Sequence, residues 1–332
     1  MRIGLTYDLR ESYLSAGLTE EETAEFDRPE TPAAIGQALK DFGHEPVAVG
    51  SLPTLVEALA RGERYDLVFN IAEGLRGSAR ESQVPALLDA YGIPYTFSGP
   101  LTLALALHKG HAKHIVRDAG LPTAPFFVLK SGEPAETIPP LDYPRFVKPA
   151  AEGSGMGIDS GSRVDDQAGL EQRIRLLRTR FSGPLLIEPY LPGREFTVGI
   201  LGSGQRARVL GILEILARTP EDQAAYGYLA KEEYDIRINY RPVPTSREPA
   251  VAELALSVHR LLECDDASRV DIRLDAESQP LFLEINPLAG LHPLRSDLVI
   301  LARAQGWSYP KLIGAILESA LSRSAADASG HP

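Results

Sequence analysis

Two stretches near the end of the chain, RVDIRLD (269–275) and PLFLEIN (280–286), restrict its fold more than any other feature. The first alternates polar and apolar residues throughout, and the second does so from Leu283 onward, the period of a strand with one buried face. Residues two apart share a face, so Glu284 and Asn286 point one way while Leu283 and Ile285 point the other. Arg269 and Asp271 share a face in the same manner. If the two strands pair through the turn at 276–279, two carboxylates and an amide oxygen converge. Hard oxygen donors in that number suit Mg²⁺, which keeps its other positions for water and phosphate oxygens. A polar strand face turned to solvent is the other reading of the same pattern.

A chain of 332 residues has room for two or three domains, each with its own core. Strand patterns at Arg2–Tyr7, Pro46–Val49 and Asp66–Ile71, with a short one near Tyr95, alternate with helical patterns around 32–43, 53–62 and 80–91. That alternation implies α/β structure, a parallel sheet with helices on both faces. FNIAEGLRG (69–77) closes the third strand and sets Glu73 at its C-terminal mouth, where open α/β sheets place ligands. The acidic segment LTEEETAEFDRPE (18–30) reads as a solvated insertion. HKGHAKHIVRDAG reads as a helix ending at Gly120, and LPTAP as a linker. Beyond it FVKP, LLIEPYL, FTVGILG and ARVLGILEIL are strands of a largely antiparallel kind, with helices expected at 166–181, 249–262, near 296–306 and at 309–322. The small, polar tail 323–332 is expected to be disordered.

Several function classes drop out. A net charge of −11 gives no basic surface for nucleic acid. The best apolar run, LTLALALH, is too short to span a membrane. The chain enters its first strand without a signal segment and carries a single cysteine, Cys264, which together predict a cytoplasmic protein. No G-x-G-x-x-G follows the first strand, no phosphate-binding G-x-x-x-x-G-K-[ST] occurs, and Ser154 is not in a G-x-S-x-G elbow. His108, His111 and His114 recur every three residues, a step that drifts around a helix and does not converge on zinc.

Two further segments carry chemistry. FVKPAAEGSGMGI (146–158) delivers Lys148 from a strand into a loop with Gly153, Ser154, Gly155 and Gly157. Such a loop can lay backbone N–H groups on phosphate oxygens, with the lysine supplying charge; a glycine-rich turn without a ligand is the alternative. In LLIEPYLPGREFTV (185–198) the apolar run stops at Glu188, and Pro189 and Pro192 frame a linker whose backbone can face a purine edge, with Glu195 placed for ribose hydroxyls.

In this order the segments resemble the ATP-grasp carboxylate–amine ligases, and among them the D-alanine–D-alanine ligases. The likeness runs from FNIAEG to the last helix. GIPYTFSGPLTLALALHK (92–109) is similar to the segment ending in an ATP-contacting lysine, VKPAAEGSGMG to the phosphate loop, EPYLPGREFTV to the adenine–ribose hinge and EINPLAGLHP to the metal and oxyanion segment. The resemblance implies an ATP-grasp fold of three domains: a Rossmann-like N-terminal unit (1–108), a central unit (109–195) and a C-terminal unit (196–322). It also implies a homodimer that takes amino acids as substrates. ATP would be held by Lys109, Lys148 and Lys231, by Glu188, Pro189 and Leu191 at the base, and by Glu195 at the ribose. Asp271, Glu284 and Asn286 would hold two Mg²⁺, or Mn²⁺ in their place. Arg269, the Gly290 N–H, Ser154 and Lys231 would serve the chemistry, while Glu73, Glu11 and Ser296 would meet the amino acids, with Asp8 an alternative to Glu11.

The implied reaction has a clear physical logic. A carboxylate repels an attacking amine, so transfer of the γ-phosphoryl group to it makes an acyl phosphate that the second amine can attack. Arg269 and Gly290 would stabilise the tetrahedral oxyanion, and segments 152–157 and 226–233 would close to keep water out. Departures lie on the amino-acid side. Glu73-Gly74 stands where relatives carry His-Gly, LRGSARES replaces a glycine- and acid-rich run, and Glu232 follows the lysine of the mobile loop in place of tyrosine. Added carboxylates favour a cationic substrate, so a ligase for other amino acids is the second expectation and a non-catalytic nucleotide-binding relative the third.

Overall fold

The computed structural model describes residues 1–218 and 237–329. Its first sheet places β1 (Arg2–Thr6) between β2 (Glu45–Gly50) and β3 (Leu67–Asn70), with both pairings parallel. Tyr95 bridges Val68 in parallel, which is the short strand expected there. The crossover helices are Glu30–Asp41, Leu52–Ala60 and Gln83–Tyr91. The first buries Ile35, Ala38 and Leu39 on one stripe, the i, i+3, i+4 spacing of a helix lying on a sheet. The third ends at Gly92, whose φ of 64° lies in the left-handed region that favours glycine.

The other two sheets are antiparallel. β4 (Phe127–Leu129), β5 (Arg145–Pro149), β6 (Arg163–Val164) and β7 (Leu185–Pro189) stand in the order β4-β7-β5-β6. Helix Gln167–Arg180 covers this sheet, its first turn capped by the Asp166 carboxylate, which accepts from the Gly169 N–H at 2.8 Å. The third sheet runs β10 (Ile238–Val243), β9 (Arg208–Ala217), β8 (Glu195–Leu201), β11 (Ala267–Leu274), β12 (Pro280–Asn286). The hairpin read from the sequence is β11–β12: Arg269 faces Asn286 and Asp271 faces Glu284 across the ladder. Asp275 closes its turn by accepting from the N–H groups of Glu277 and Gln279.

Two expectations are corrected by packing. The chain is helical from Tyr309 to Ser329, well into the stretch expected to be disordered. Alanine is the best helix former, and Arg323 is anchored to the carbonyls of Tyr95 and Phe97 and to the buried Asp266 carboxylate. The same long helix packs on helix Glu30–Asp41, so one apolar cluster joins Ile3, Leu5 and Phe69 to Leu298, Leu312 and Ile316. The acidic segment 18–30, expected in solvent, is folded onto the N-terminal unit. Thr23 is fully buried, Phe26 stacks on Tyr13 at 4.3 Å, and the buried Arg10 donates to the Thr23 hydroxyl and the Glu20 carbonyl.

Candidate active site

A cavity of about 240 Å³ opens where the N-terminal unit, the glycine-rich loop and the β11–β12 hairpin meet. A smaller one of about 70 Å³ lies between the two antiparallel sheets. Lys109, Glu152 and Glu284 line both, so the two cavities adjoin.

The inner end is a buried charge cluster. Lys148 leaves β5 and Glu188 leaves the adjacent β7, with their ammonium and carboxylate 2.8 Å apart. Lys113, fully buried, holds the other Glu188 oxygen at 2.9 Å and also donates to the Thr123 hydroxyl and the Phe282 carbonyl. Burial alone would push the Glu188 carboxyl up, but the two ammonium groups reverse this and hold it at about 2. The excess positive charge falls on Lys113, whose ammonium burial pulls below the ordinary lysine range. Pro189, Leu191 and Glu195 line the same end, as expected. Arg273 fixes the hinge by reaching the Glu195 carboxylate and the Tyr190 hydroxyl, each at 3.1 Å.

The glycine-rich loop has the backbone its composition promises. Ser154, Gly155 and Gly157 take φ of 48°, 70° and 68°. A Cβ at Gly157 would stand 2.7 Å from Phe181 and Pro149. Gly153 donates its N–H to the Glu25 carboxylate at 2.7 Å. That carboxylate is in turn held by Arg80, which also donates to the Ala151 carbonyl.

Asp271 and Glu284 face each other on the hairpin with Asn286 beyond. Arg269 Nη1 lies 3.2 Å from Asp271 and 2.7 Å from Asp297, and Lys109 Nζ lies 3.2 Å from Glu284. Among the described residues no three His, Cys, Asp or Glu side chains group around a metal position. The donor set is two carboxylates completed by an amide, and its hard oxygens fit Mg²⁺.

Glu73, Ser154, Arg269, Gly290 and Ser296 line the larger cavity. Ser296 accepts from the His292 N–H at 2.9 Å, and a Cβ on Gly290 would stand 2.9 Å from its hydroxyl. Glu11 is exposed and lies off the cavity wall. Asp8 is buried beneath the wall, accepting from the Gly74 N–H and the Tyr13 hydroxyl. The N-terminal acids that do line the cavity are Glu25 and Asp27. Glu73 and Glu81 line the cavity too, and burial raises both carboxyls. Lys231, Glu232 and the segment 226–233 lie outside the described residues. The histidine series carries no metal cluster; His108 caps helix Lys109–Asp118 and stacks on His111 at 4.0 Å.

Residues 115–318 match the family model described as D-ala D-ala ligase C-terminus. The chain belongs to the D-alanine–D-alanine ligase family. A D-alanine–D-alanine ligase of Gluconobacter oxydans is 34% identical over 305 residues, covering 88% of this chain and 93% of the relative. The Sinorhizobium fredii protein y4sG, described as uncharacterized, is 33% identical over 303 residues, 86% of each chain. The fold matches a D-alanine–D-alanine ligase from Bacillus anthracis solved with ATP, at a TM-score of 0.73 and 23% identity over 98% of this chain and 99% of that one. The architecture is therefore the ATP-grasp fold.

Within this ligase-family fold, four residues escaped the sequence reading. Lys113 sits one helical turn from Lys109 and Arg273 shares a strand face with Arg269 and Asp271, so periodicity carried a signal for both. Glu25 and Arg80 had none. They meet across 55 positions of sequence.

Proposed function

We propose that this chain joins two amino acids through an acyl phosphate, with D-alanine, the substrate that names the family, taken for at least one position. Family membership makes it an ATP-dependent, ADP-forming ligase that forms a peptide bond. The observation that carries the site assignment is that the two cavities adjoin across Lys109, Glu152 and Glu284, which line both. A nucleotide on the hinge and an amino acid at the hairpin then share one wall.

In this reading Pro189 and Leu191 receive the base, Glu195 the ribose, and Lys109 and Lys148 the phosphates, with the Gly153–Gly157 backbone and Ser154 closing over them. Asp271, Glu284 and Asn286 would hold two Mg²⁺ or Mn²⁺, which neutralise phosphate charge when bound. Arg269, held in place by Asp297, is oriented toward the carbonyl that becomes tetrahedral, and the Gly290 N–H stands beside it. Ser296, braced by His292, faces the acceptor's carboxylate. Glu25 takes the role first given to Glu11, because it is the N-terminal acid that reaches both cavity and loop. Lys231 belongs to the proposal on sequence grounds alone. The three-unit division, the homodimer and the cytoplasmic location belong to it on family grounds; among the described residues no helix is long and apolar enough to cross a membrane.

The test is ADP release with D- and L-amino acids, coupled to product mass. Turnover that yields a dipeptide is expected, and Glu284→Ala should lower it a hundredfold or more, beyond the roughly 10–100-fold typical of residues that only orient a metal ligand. ATP binding without ADP release from any amino acid would overturn the proposal.

A further inference from the structure

The cavity holds two carboxylates for which the mechanism has no use. Glu73 follows β3, and Glu81 sits in the turn of 3₁₀ helix Arg80–Ser82; both line the cavity. Glu81 is only 9% exposed, and neither acid makes a hydrogen bond or ion pair among the described residues. The two cations that act on them, Arg80 and Lys109, have partners of their own. Arg80 is bound by Glu25 at 2.8 Å and approached by Glu152 at 3.7 Å, while Lys109 is paired with Glu284 at 3.2 Å.

Two cavity acids that burial raises, with no hydrogen bond or ion pair of their own among the described residues, are costly to ionise. Burial and the charge of Glu25 push both carboxyls up, Glu81 to about 8, and the charge of Glu81 adds to the rise at Glu73. A wall of this kind is indifferent to a methyl side chain. It gains most from a ligand that brings positive charge to it, because one ammonium relieves the repulsion and replaces the missing hydrogen bonds. The Lys109 ammonium is close enough to Glu81 to oppose its shift, which sets Glu81 beside the lysine that reaches Glu284.

We propose that Glu73 and Glu81 form a specificity subsite for a second ammonium group on the acyl-donor amino acid, so that the donor is a diamino acid. This rests on the ligase reading above and deepens it. An α-ammonium alone needs one anionic partner, and Glu25, held at the loop by Arg80, already lines the cavity.

The experiment compares isosteric donors with and without the charge: 2,4-diaminobutyrate against norvaline and ornithine against norleucine, in both stereochemical forms. Hydroxylamine traps the acyl phosphate as a hydroxamate, which reports the donor without an acceptor. Wild-type protein should favour the diamino acid at least tenfold in kcat/KM. Glu73→Gln and Glu81→Gln should each collapse that ratio through KM. A wild-type preference for neutral donors, or a ratio unchanged in both variants, overturns the subsite while leaving the ligase reading intact. If a variant does not fold, the wild-type isostere ratio decides. If no donor gives hydroxamate or ADP, the ligase reading falls, and the shift in melting temperature caused by ornithine relative to norleucine decides the subsite. A shift with ornithine alone supports it, and equal shifts overturn it.

Discussion

Arg80 and Glu25 form a buried ion pair, 2.8 Å between Nη2 and Oε2, with each side chain 9% exposed. The pair ties the acidic segment to the turn after β3. Because Glu25 also accepts from Gly153, it carries the glycine-rich loop with it. Removing the guanidinium leaves Glu25 buried without its cation. Arg80→Ala should cost about 3–5 kcal/mol, measured by urea unfolding, whereas loss of an exposed pair such as Arg61–Glu57 should cost less than about 1 kcal/mol.

Gly153 is required by a neighbour rather than by its own backbone. A Cβ there would lie 2.3 Å from Glu25 Oε1. Gly153→Ala should displace either the loop or Glu25 and lower kcat/KM for ATP by about tenfold, since a misplacement near 1 Å is worth up to about a hundredfold. Gly183→Ala, where the added Cβ meets nothing within 4 Å, should leave that ratio unchanged in the same steady-state assay.

Lys113 acts through Glu188, which it holds against Lys148. Lys113→Met keeps the volume and removes the charge, so Glu188 is left with one lysine. The KM for ATP should rise several-fold with kcat nearly unchanged. Glu188→Ala is expected to be worse, stranding two buried ammonium groups and destabilising the fold by about 3–5 kcal/mol in thermal or urea unfolding.

The raised Glu81 carboxyl makes a signed prediction. The folded chain keeps a proton on Glu81 up to about 8, while the unfolded chain releases it near 4.5. Between those values the folded state binds more protons, so this group makes stability fall as pH rises from about 4.5 to about 8. Glu81→Gln cannot titrate and should flatten that part of the melting-temperature profile. Glu188 has the opposite sign: its stabilisation is present above 4.5 and is lost as pH falls toward about 2.

Much of the nucleotide end was legible in the chain. Lys148, Glu188, Pro189, Leu191 and Glu195, read from the chain as strand-end and linker residues, line one cavity. The β11–β12 hairpin formed in the register that brings Asp271 opposite Glu284. Ser154 and the glycines around it took the positive φ values that a glycine-rich loop invites. The amino-acid end was less legible. Glu11 is exposed and off the cavity wall, whereas Glu25, within LTEEETAEFDRPE, lines the cavity because Arg80, far away in sequence, holds it there.

What the sequence determined is therefore the part governed by local period: alternating strands, helical stripes, turn glycines and the order of the segments that bind ATP in this family. Tertiary structure alone decided that Glu25 joins Arg80, that Lys113 joins Glu188, that Arg323 carries the last helix to Ser329, and that Glu73 and Glu81 line one cavity. The physical reason is range. Apolar periodicity is written residue by residue into each element, whereas a buried charge is stable only beside a partner that another part of the chain delivers.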